Sequence, residues 1–315
     1  MRRRAAEAAE ARMVKQRERG RPRLRKQREQ EEAEQESMAK TLLGFKKPQA
    51  IYDTLGPEDK WREHIDGRHQ HHGKNVYVKG FHGRRPDPEY NKRMMEADRY
   101  VSSTFGRQFN VEDYLELRKR IAKPGDMGAY PRKGELALRY DEFLDPISTL
   151  SSEKDPYVKK FDPDYEHPET QEHSAAVVLR DVEDPIGEID SVLGGHYKSI
   201  DEAESEDDKM EVIARTHRQL ENLHPFVDYN SRTNRLVLNR LLAEQNLPPT
   251  ILHNPLDVHR MSSTKWIEQI KKGQKDWMKQ AERVEEGRMR KDTSAEDEWK
   301  KHDRMQEFLK RYGQI

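Results

Sequence analysis

Residues 214–235, ARTHRQLENLHPFVDYNSRTNR, decide the fold because they read as a helix, a tight loop and the start of a second helix. The first helix is expected to end at Leu223, and the proline after His224 keeps the chain from continuing as a helix. Ser231 is a good N-cap residue, so the second helix is expected to begin at Arg232. The main-chain N–H groups of its first turn would then form an anion site, through free donors and the helix dipole.

The polar side chains around this turn suit a polyphosphate that carries magnesium. Arg232 and Arg235 are three residues apart and share one face of the helix, where two guanidinium groups match a polyphosphate better than a carboxylate. Asp228 precedes the turn, and Mg²⁺ prefers one or two carboxylates together with phosphate oxygens. His224, on the opposite side, is a candidate general base. Each feature alone fits a helix cap or a solvated ion pair, but their combination within twelve residues indicates phosphate chemistry.

The segment 224–235 resembles the signature of the Fic family, H-P-F-x-[D/E]-G-N-G-R-x-x-R. It departs from that pattern at the two glycines, where this chain has Tyr229 and Ser231. The close likeness covers roughly residues 205–250. It implies a mainly α fold, a Fic-like helical bundle with a small β-hairpin flap, flanked by disordered or extended helical tails.

The resemblance also implies a reaction. His224 would deprotonate a Ser, Thr or Tyr hydroxyl of a target protein, and that hydroxyl would attack the α-phosphate of ATP and release pyrophosphate. The product would be an AMP–protein ester (AMPylation), which makes the chain a protein nucleotidyltransferase. Asp228 would ligate Mg²⁺, and ATP would be the co-substrate.

The same resemblance assigns nucleotide binding to four further residues. Asn230 and the neighbouring amides, including that of Ser231, would hold the α-phosphate. Arg232 and Arg235 would bind the outer phosphates.

The two replaced glycines leave the transferred group open. Serine can still cap the helix, so the change at Ser231 is mild. Tyr229 disfavours the positive φ that glycine permits, and its ring could point outward over the nucleotide or obstruct it. Members of the family transfer AMP, UMP, phosphate or phosphocholine.

Two elements that often accompany the signature have weak counterparts here. Residues 149–153 and 54–58 each begin with Thr and end with Glu, like the start of the family's inhibitory helix, but the residue that follows does not fit. These loose patterns do not identify an internal inhibitor, and the absence of one would leave control to an antitoxin-like or immunity partner. For the target-docking hairpin the candidate is 175–190, which would add a target segment as an extra strand.

Composition divides the chain into a modest domain and long polar segments. Hydrophobic residues make up 33% and charged residues 37% of the 315 residues, which is more polar than a typical globular chain. Without cysteine, disulfides and thiolate sites are excluded, and no apolar stretch is long enough to span a membrane. The expected division has a charged helical or disordered arm at 1–40 and an irregular His-rich linker at 41–87. A Fic-like helical catalytic domain at 88–285 and a charged C-terminal helix or tail at 286–315 follow.

The linker and the arm each allow a binding role. His64, His69, His71, His72 and His82 could bind a metal, but their spacing matches no compact ligand pattern, and an exposed tract is the favoured interpretation. Residues 1–30 hold twelve Lys and Arg against four Glu, a net charge of +8, followed at once by an acidic run. Because no aromatic residue is interleaved to stack on bases, we do not expect nucleic acid as a partner.

Two functions from different classes fit these patterns. The first is a Fic-type transferase acting as a bacterial effector or toxin, either cytoplasmic or secreted into a host or target cell by a non-classical route. The second is a non-catalytic helical interaction protein, a degenerate Fic fold whose basic arm binds nucleic acid or a partner. Loss of protein labelling on replacing His224 separates them.

Overall fold

Four stretches of the chain are described by the computed structural model: 47–80, 86–123, 125–126 and 131–291. The arm predicted at 1–40 and most of the tail predicted at 286–315 lie outside them. Within these stretches, no helix is long and apolar enough to cross a bilayer.

Helices dominate the described residues, with one small sheet inserted among them. The helices are α1 (Pro48–Tyr52), α2 (Trp61–His64), α3 (Tyr90–Ser103), α4 (Val111–Ile121), α5 (Ile147–Ser152), α6 (Pro185–Asp201), α7 (Glu206–Leu223), α8 (Asn230–Glu244) and α9 (Ser263–Lys291). The strands are β1 (Leu136–Tyr140), β2 (Val158–Glu166) and β3 (His173–Leu179). Short 3₁₀ helices cover Gly67–His72 and Pro255–His259. The mainly α fold with a small antiparallel sheet is therefore confirmed.

Two helices in the middle of the core, α7 and α8, position the loop between them. The start of α7 is fixed by a capping box, in which Ser205 and Asp208 each bond the other's main-chain N–H. Leu220 and Leu223 at its end are fully buried. Almost every residue of α8 after its first turn is buried, because other helices surround it. The loop at 224–229 therefore connects two helices that are fixed by their packing in the core.

The sheet corrects the prediction of the flap. Its strand order is β1-β3-β2 and both pairings are antiparallel. The segment proposed as a docking hairpin, 175–190, contains most of β3, which is the central strand, and the beginning of α6. Both edges of β3 are already paired, so it cannot accept another strand. The strands with a free edge in this sheet are β1 and β2.

Part of residues 47–80 packs into the core, where an irregular linker was expected over 41–87, whereas His71 and His72 are exposed as predicted. Lys60 is buried, with its ammonium 3.3 Å from Glu63 and 3.7 Å from Asp98. Trp277 of α9 donates a 2.7 Å hydrogen bond to Glu63. His64, placed by the sequence in an exposed tract, is buried 3.5 Å from Asp98. The packed region thus begins well before residue 88.

Candidate functional site

The loop at 224–229 is held by two residues in the left-handed conformation. His224 ends α7 with φ of 43°, and Tyr229 precedes α8 with φ of 71°. The helix begins at Asn230, so the expectation that Ser231 caps a helix starting at Arg232 is wrong. The physical reason is that the chain needs a left-handed residue to turn into the helix, and Tyr229 takes the conformation that the family's glycine permits.

Asn230 braces the loop from inside. Its side-chain oxygen accepts the main-chain N–H of Phe226 at 3.1 Å, and its amide donates to the Phe226 carbonyl at 2.7 Å. Phe226 is buried, and the guanidinium of Arg118 lies 3.6 Å from the centre of its ring. The side-chain amide of Asn230 is thus bonded to the loop. Only the main-chain N–H of Asn230 is available to an α-phosphate.

A cavity of about 520 Å³ opens at this loop. All six predicted site residues line it: His224, Asp228, Asn230, Ser231, Arg232 and Arg235. The remaining lining residues come from other segments: Asp66, Tyr77, Asp87, Tyr90, Lys123, Asp126, Tyr229, Pro255 and Leu256. The structure therefore brings the predicted residues together around one space.

His224 presents a neutral imidazole to this cavity. Burial, and then the nearby Arg132 guanidinium, lowers the pKa of His224 to about 4. Its Nδ1 is buried and has no hydrogen-bond partner in the described part of the chain. Because a general base must be unprotonated, this environment keeps the imidazole in the required form at neutral pH.

Asp228 and Arg232 form an ion pair at the mouth of the cavity. Arg232 donates to Oδ1 of Asp228 at 3.0 Å, and the main-chain N–H of Tyr229 donates to the same oxygen at 2.5 Å. Oδ2 has no partner among the described residues, and the side chain is 60% exposed. One open carboxylate oxygen suits Mg²⁺, which takes its other ligands from phosphates and water. No group of three or more acidic or histidine ligands gathers in the described stretches, so the nucleotide would have to complete such a site.

Arg235 differs from Arg232 in being buried and paired within the protein. Its guanidinium donates to a carboxylate oxygen of Asp66, which follows α2. Tyr90, in the same wall, donates a 2.6 Å hydrogen bond to the carbonyl of His64 and so fixes the chain just before Asp66. Asp66 engages Nη2, whereas Nη1 and Nε of Arg235 have no hydrogen-bond partner among the described residues. The role of Arg235 in phosphate binding stays a prediction, and the ion pair with Asp66 leaves two of its nitrogens for it.

Tyr229 forms a wall of the cavity and does not fill it. Its hydroxyl donates to Asp126 and accepts the main-chain N–H of Lys123 at 3.3 Å. On its face, the Arg232 guanidinium lies 4.3 Å from the ring centre. The tyrosine therefore fastens the 123–126 segment beside the cavity and supports Arg232.

Sequence reasoning missed the residues of the cavity that come from outside the signature. Asp66, Tyr77, Asp87 and Asp126 are scattered over segments that showed no motif, and only the fold brings them to the loop. Asp66 in particular could not be identified as a cavity residue from the sequence, because the His-rich stretch around it has no helical or strand pattern.

The two weak inhibitor-like segments lie elsewhere in the structure. Glu153 pairs with Arg218 and accepts the main-chain N–H of Ser263 at 2.7 Å, so it caps the start of α9. Glu58 is exposed, and neither glutamate lines the cavity described above. At these positions neither glutamate contacts Arg235, whose partner is Asp66.

Comparisons with known proteins agree with the signature. The chain matches the Fic/DOC family over residues 62–242. It is 33% identical over 151 residues to the phosphocholine transferase AnkX of Legionella pneumophila, an alignment that covers 46% of this chain and 15% of AnkX. A solved structure of Fic-1 from C. elegans superimposes with a TM-score of 0.47 at 15% sequence identity, covering 83% of this chain and 72% of that one. With more than half of its residues matched to the family, the chain belongs to the Fic/DOC family.

Proposed function

We propose that the chain is a transferase that moves AMP from ATP to a Ser, Thr or Tyr hydroxyl of a target protein. One observation carries the proposal: a single cavity joins the neutral imidazole of His224, the open carboxylate oxygen of Asp228 and the N-terminus of α8. Membership of the Fic/DOC family supports it. A non-catalytic protein would have no need to keep these groups together.

In the proposed reaction, the acceptor oxygen attacks the α-phosphorus of ATP in line. A new oxygen–phosphorus bond forms, the bond to the bridging oxygen of pyrophosphate breaks, and the hydroxyl proton passes to the imidazole of His224. The N–H groups at the start of α8 and the guanidinium of Arg232 orient the phosphates and offset their charge. Mg²⁺, when bound, supplies further charge neutralisation, with Oδ2 of Asp228 as its protein ligand.

A second candidate is transfer of phosphocholine from CDP-choline. The similarity to AnkX, a phosphocholine transferase, suggests it, and part of the lining of the cavity suits a choline group. Four aspartates and three tyrosines line the cavity, and a quaternary ammonium is recognised by aromatic faces and carboxylates. These residues are Asp66, Asp87, Asp126, Asp228, Tyr77, Tyr90 and Tyr229.

The test is transfer of label in parallel reactions. The protein is incubated with Mg²⁺, a bacterial or eukaryotic lysate, and either α-phosphate-labelled ATP or choline-labelled CDP-choline. We expect labelled protein bands with ATP and their loss in His224→Ala, since a general base contributes about 10²–10⁴-fold. His253→Ala is the matched control, because His253 is exposed and does not line the cavity.

The outcomes are distinct. Label only with CDP-choline would replace the first proposal by the second, and intact mass of a purified target would identify the added group. Equal traces for wild type and His224→Ala with every donor would contradict both, and would favour an interaction protein. An antitoxin-like or immunity partner remains part of the proposal, to be sought by co-purification.

A further inference from the structure

We propose that Arg132 is a positioning residue for His224, joining the end of α7 to the three-stranded sheet. The inference rests on the proposed function, because it concerns the residue that would act as general base. Arg132 lies outside the signature, 92 residues before His224, and nothing in the sequence around it indicates a role in the site.

The guanidinium of Arg132 donates to four main-chain carbonyls. At the end of α7 it bonds the carbonyl of His224 at 3.0 Å and that of Leu223 at 3.3 Å. Towards the sheet it bonds the carbonyl of Arg180 at 2.8 Å, just after β3, and that of Gly134, just before β1. One side chain thus connects the last turn of a helix with one end of the antiparallel β1–β3 pair.

The main chain around Arg132 follows the signature as well. The N–H of Arg132 donates to the carbonyl of Pro225 at 2.9 Å, and Pro131 forms an isolated antiparallel bridge with Phe226. These main-chain contacts place Arg132 beside the loop at 224–229. Its side chain therefore lies close to the carbonyls of His224 and Leu223.

These carbonyls require donors because of where they lie. The last carbonyls of a helix have no partner within the helix. His224 additionally adopts a left-handed conformation, which is sparsely populated by residues with a side chain and persists only where surrounding contacts hold it. Arg132 supplies such contacts at the residue itself and at the one before it. Removing them would let the imidazole take other orientations.

Charge supports the same assignment. The Arg132 guanidinium contributes, after burial, to the lowered pKa of His224. Arg132 therefore favours the neutral imidazole in addition to fixing its backbone.

Arg132 also links the sheet to the main chain of His224. Arg180, whose carbonyl Arg132 bonds, is itself tied to β2, because its N–H donates to the carbonyl of Tyr157 at 2.9 Å and its side chain to that of Val158 at 3.3 Å. A displacement of the sheet on contact with a target would thus reach the carbonyl of His224 through a single side chain.

The test compares Arg132→Ala, Arg132→Lys and Arg260→Ala in the full chain. Arg260 is the matched control, since it is also partly buried and bonds a main-chain carbonyl, that of Glu142 at 3.2 Å, but its side chain bonds Glu142 and Asp257 and not the end of α7. For Arg132→Ala we expect a fall in kcat of about 100-fold, the scale of a displaced catalytic group. The Kd for nucleotide, measured separately by calorimetry, should stay within about twofold of wild type, as phosphate contacts are not removed. Lysine should give an intermediate kcat, and low concentrations of added guanidinium ion should raise the kcat of the alanine variant alone.

Three results would overturn the inference: an unchanged kcat in Arg132→Ala, an equal loss in Arg260→Ala, or a kcat loss that follows only from unfolding and is not relieved by guanidinium. Thermal melts of each variant identify unfolding. Because every comparison is with wild type in the same assay, inactivity of the wild type would count against the proposed function instead. A nucleotide Kd weakened as much as kcat would likewise show that Arg132 acts on binding and not on His224.

Discussion

Arg235 is buried beside the cavity, where its guanidinium pairs with the carboxylate of Asp66. Burial alone would raise the pKa of Asp66, but the guanidinium outweighs burial and holds the pKa below its usual value. A phosphate that binds at Nη2 of Arg235 must therefore replace this carboxylate, whereas one that binds at Nη1 or Nε would lie beside its negative charge. Asp66 thus sets how strongly Arg235 can contribute to nucleotide binding.

We expect Asp66→Asn to destabilise the free protein and to strengthen its response to nucleotide. Removing one charge of a buried pair costs about 3 kcal/mol, because the other charge stays buried without its partner. A bound phosphate can then pair with Arg235, so added ATP and Mg²⁺ should raise the free energy of unfolding more in the variant than in wild type. Urea unfolding with and without nucleotide measures both effects.

Asp87→Asn is the control for that experiment. Asp87 also lines the cavity, but it pairs with Arg93 at 2.5 Å and not with Arg235. It should lose stability without a larger response to nucleotide. If nucleotide stabilises Asp66→Asn no more than wild type, Asp66 does not compete for Arg235.

At Tyr229 the signature predicts the main-chain conformation but not the contacts of the side chain. The sequence indicates that position 229 needs a positive φ, because the family has glycine there, and the structure has φ of 71°. It does not indicate the partner of the hydroxyl, Asp126, which is 103 residues away and lies in a segment without a pattern. Local conformation follows from local sequence, whereas the wall of a cavity depends on tertiary packing.

Among the elements, α9 depends on a close approach at Gly273. The N–H of Ile251 donates to the carbonyl of Gly273 at 3.1 Å, so the loop after α8 lies directly on the helix. A Cβ at Gly273 would lie 2.1 Å from Oγ1 of Thr250 and 2.6 Å from the carbonyl oxygen of Ile251. Glycine is required there because main chain, which cannot rotate away, occupies the space.

Gly273→Ala should therefore lower the free energy of unfolding by about 2 kcal/mol or more, the usual cost of overpacking. Gly194→Ala is the matched control, since Gly194 lies within α6 and a Cβ there meets nothing within 4 Å. Alanine should stabilise that helix by about 0.5–1 kcal/mol. Urea unfolding of both variants tests the pair, and similar effects of the two substitutions would contradict the close approach at α9.

The elements that the sequence predicts are those with a continuous helical period. The helix predicted to end at Leu223 is α7, which ends there, and the helix predicted to begin at Arg232 is α8, which begins at Asn230. By contrast, the hairpin proposed at 175–190 left no room for a helix, although Asp184 caps α6 through a 2.9 Å bond from Gly187 and proline follows it at the first position. Glycines inside α6 lower its helix propensity, so the sequence indicates the helix only weakly. Burial of its apolar side chains stabilises the helix in the fold. The strands β1 and β2 were missed because β1 is only half buried and β2 is interrupted by irregular register.

At the scale of the whole molecule, several histidines are buried in neutral form. Burial lowers the pKa of His196 to about 4, and burial lowers that of His217 to about 3. His224 behaves alike, at about 4. In the unfolded chain these groups titrate near 6.5. The unfolded state therefore binds protons that the folded state cannot bind, and the stability that these histidines contribute is lost as the pH drops below about 6.5.

Buried carboxyls act in the opposite direction. Burial raises the pKa of Glu221 to about 8 and that of Glu63 to about 7, so the folded state holds protons that the unfolded state releases above about 4.5. Their contribution is complete below that value and is lost as the pH rises through the folded-state pKa. Between about pH 6.5 and 4.5 the buried histidines and these carboxyls therefore oppose each other, and the slope of the unfolding free energy with pH combines both.

Replacing one of these histidines isolates its share of that slope. His196 lies on α6, away from the cavity, with its Nδ1 3.1 Å from the Thr216 hydroxyl. His196→Gln cannot take up a proton in either state, so its unfolding free energy should fall less steeply between pH 6.5 and 4.5, by up to about 1.4 kcal/mol per pH unit. His253→Gln, at an exposed position, should leave the slope unchanged. Urea unfolding at half-unit steps of pH measures all three proteins, and parallel curves for wild type and His196→Gln would mean that His196 is protonated inside the fold and that burial does not set the acid limit of this molecule.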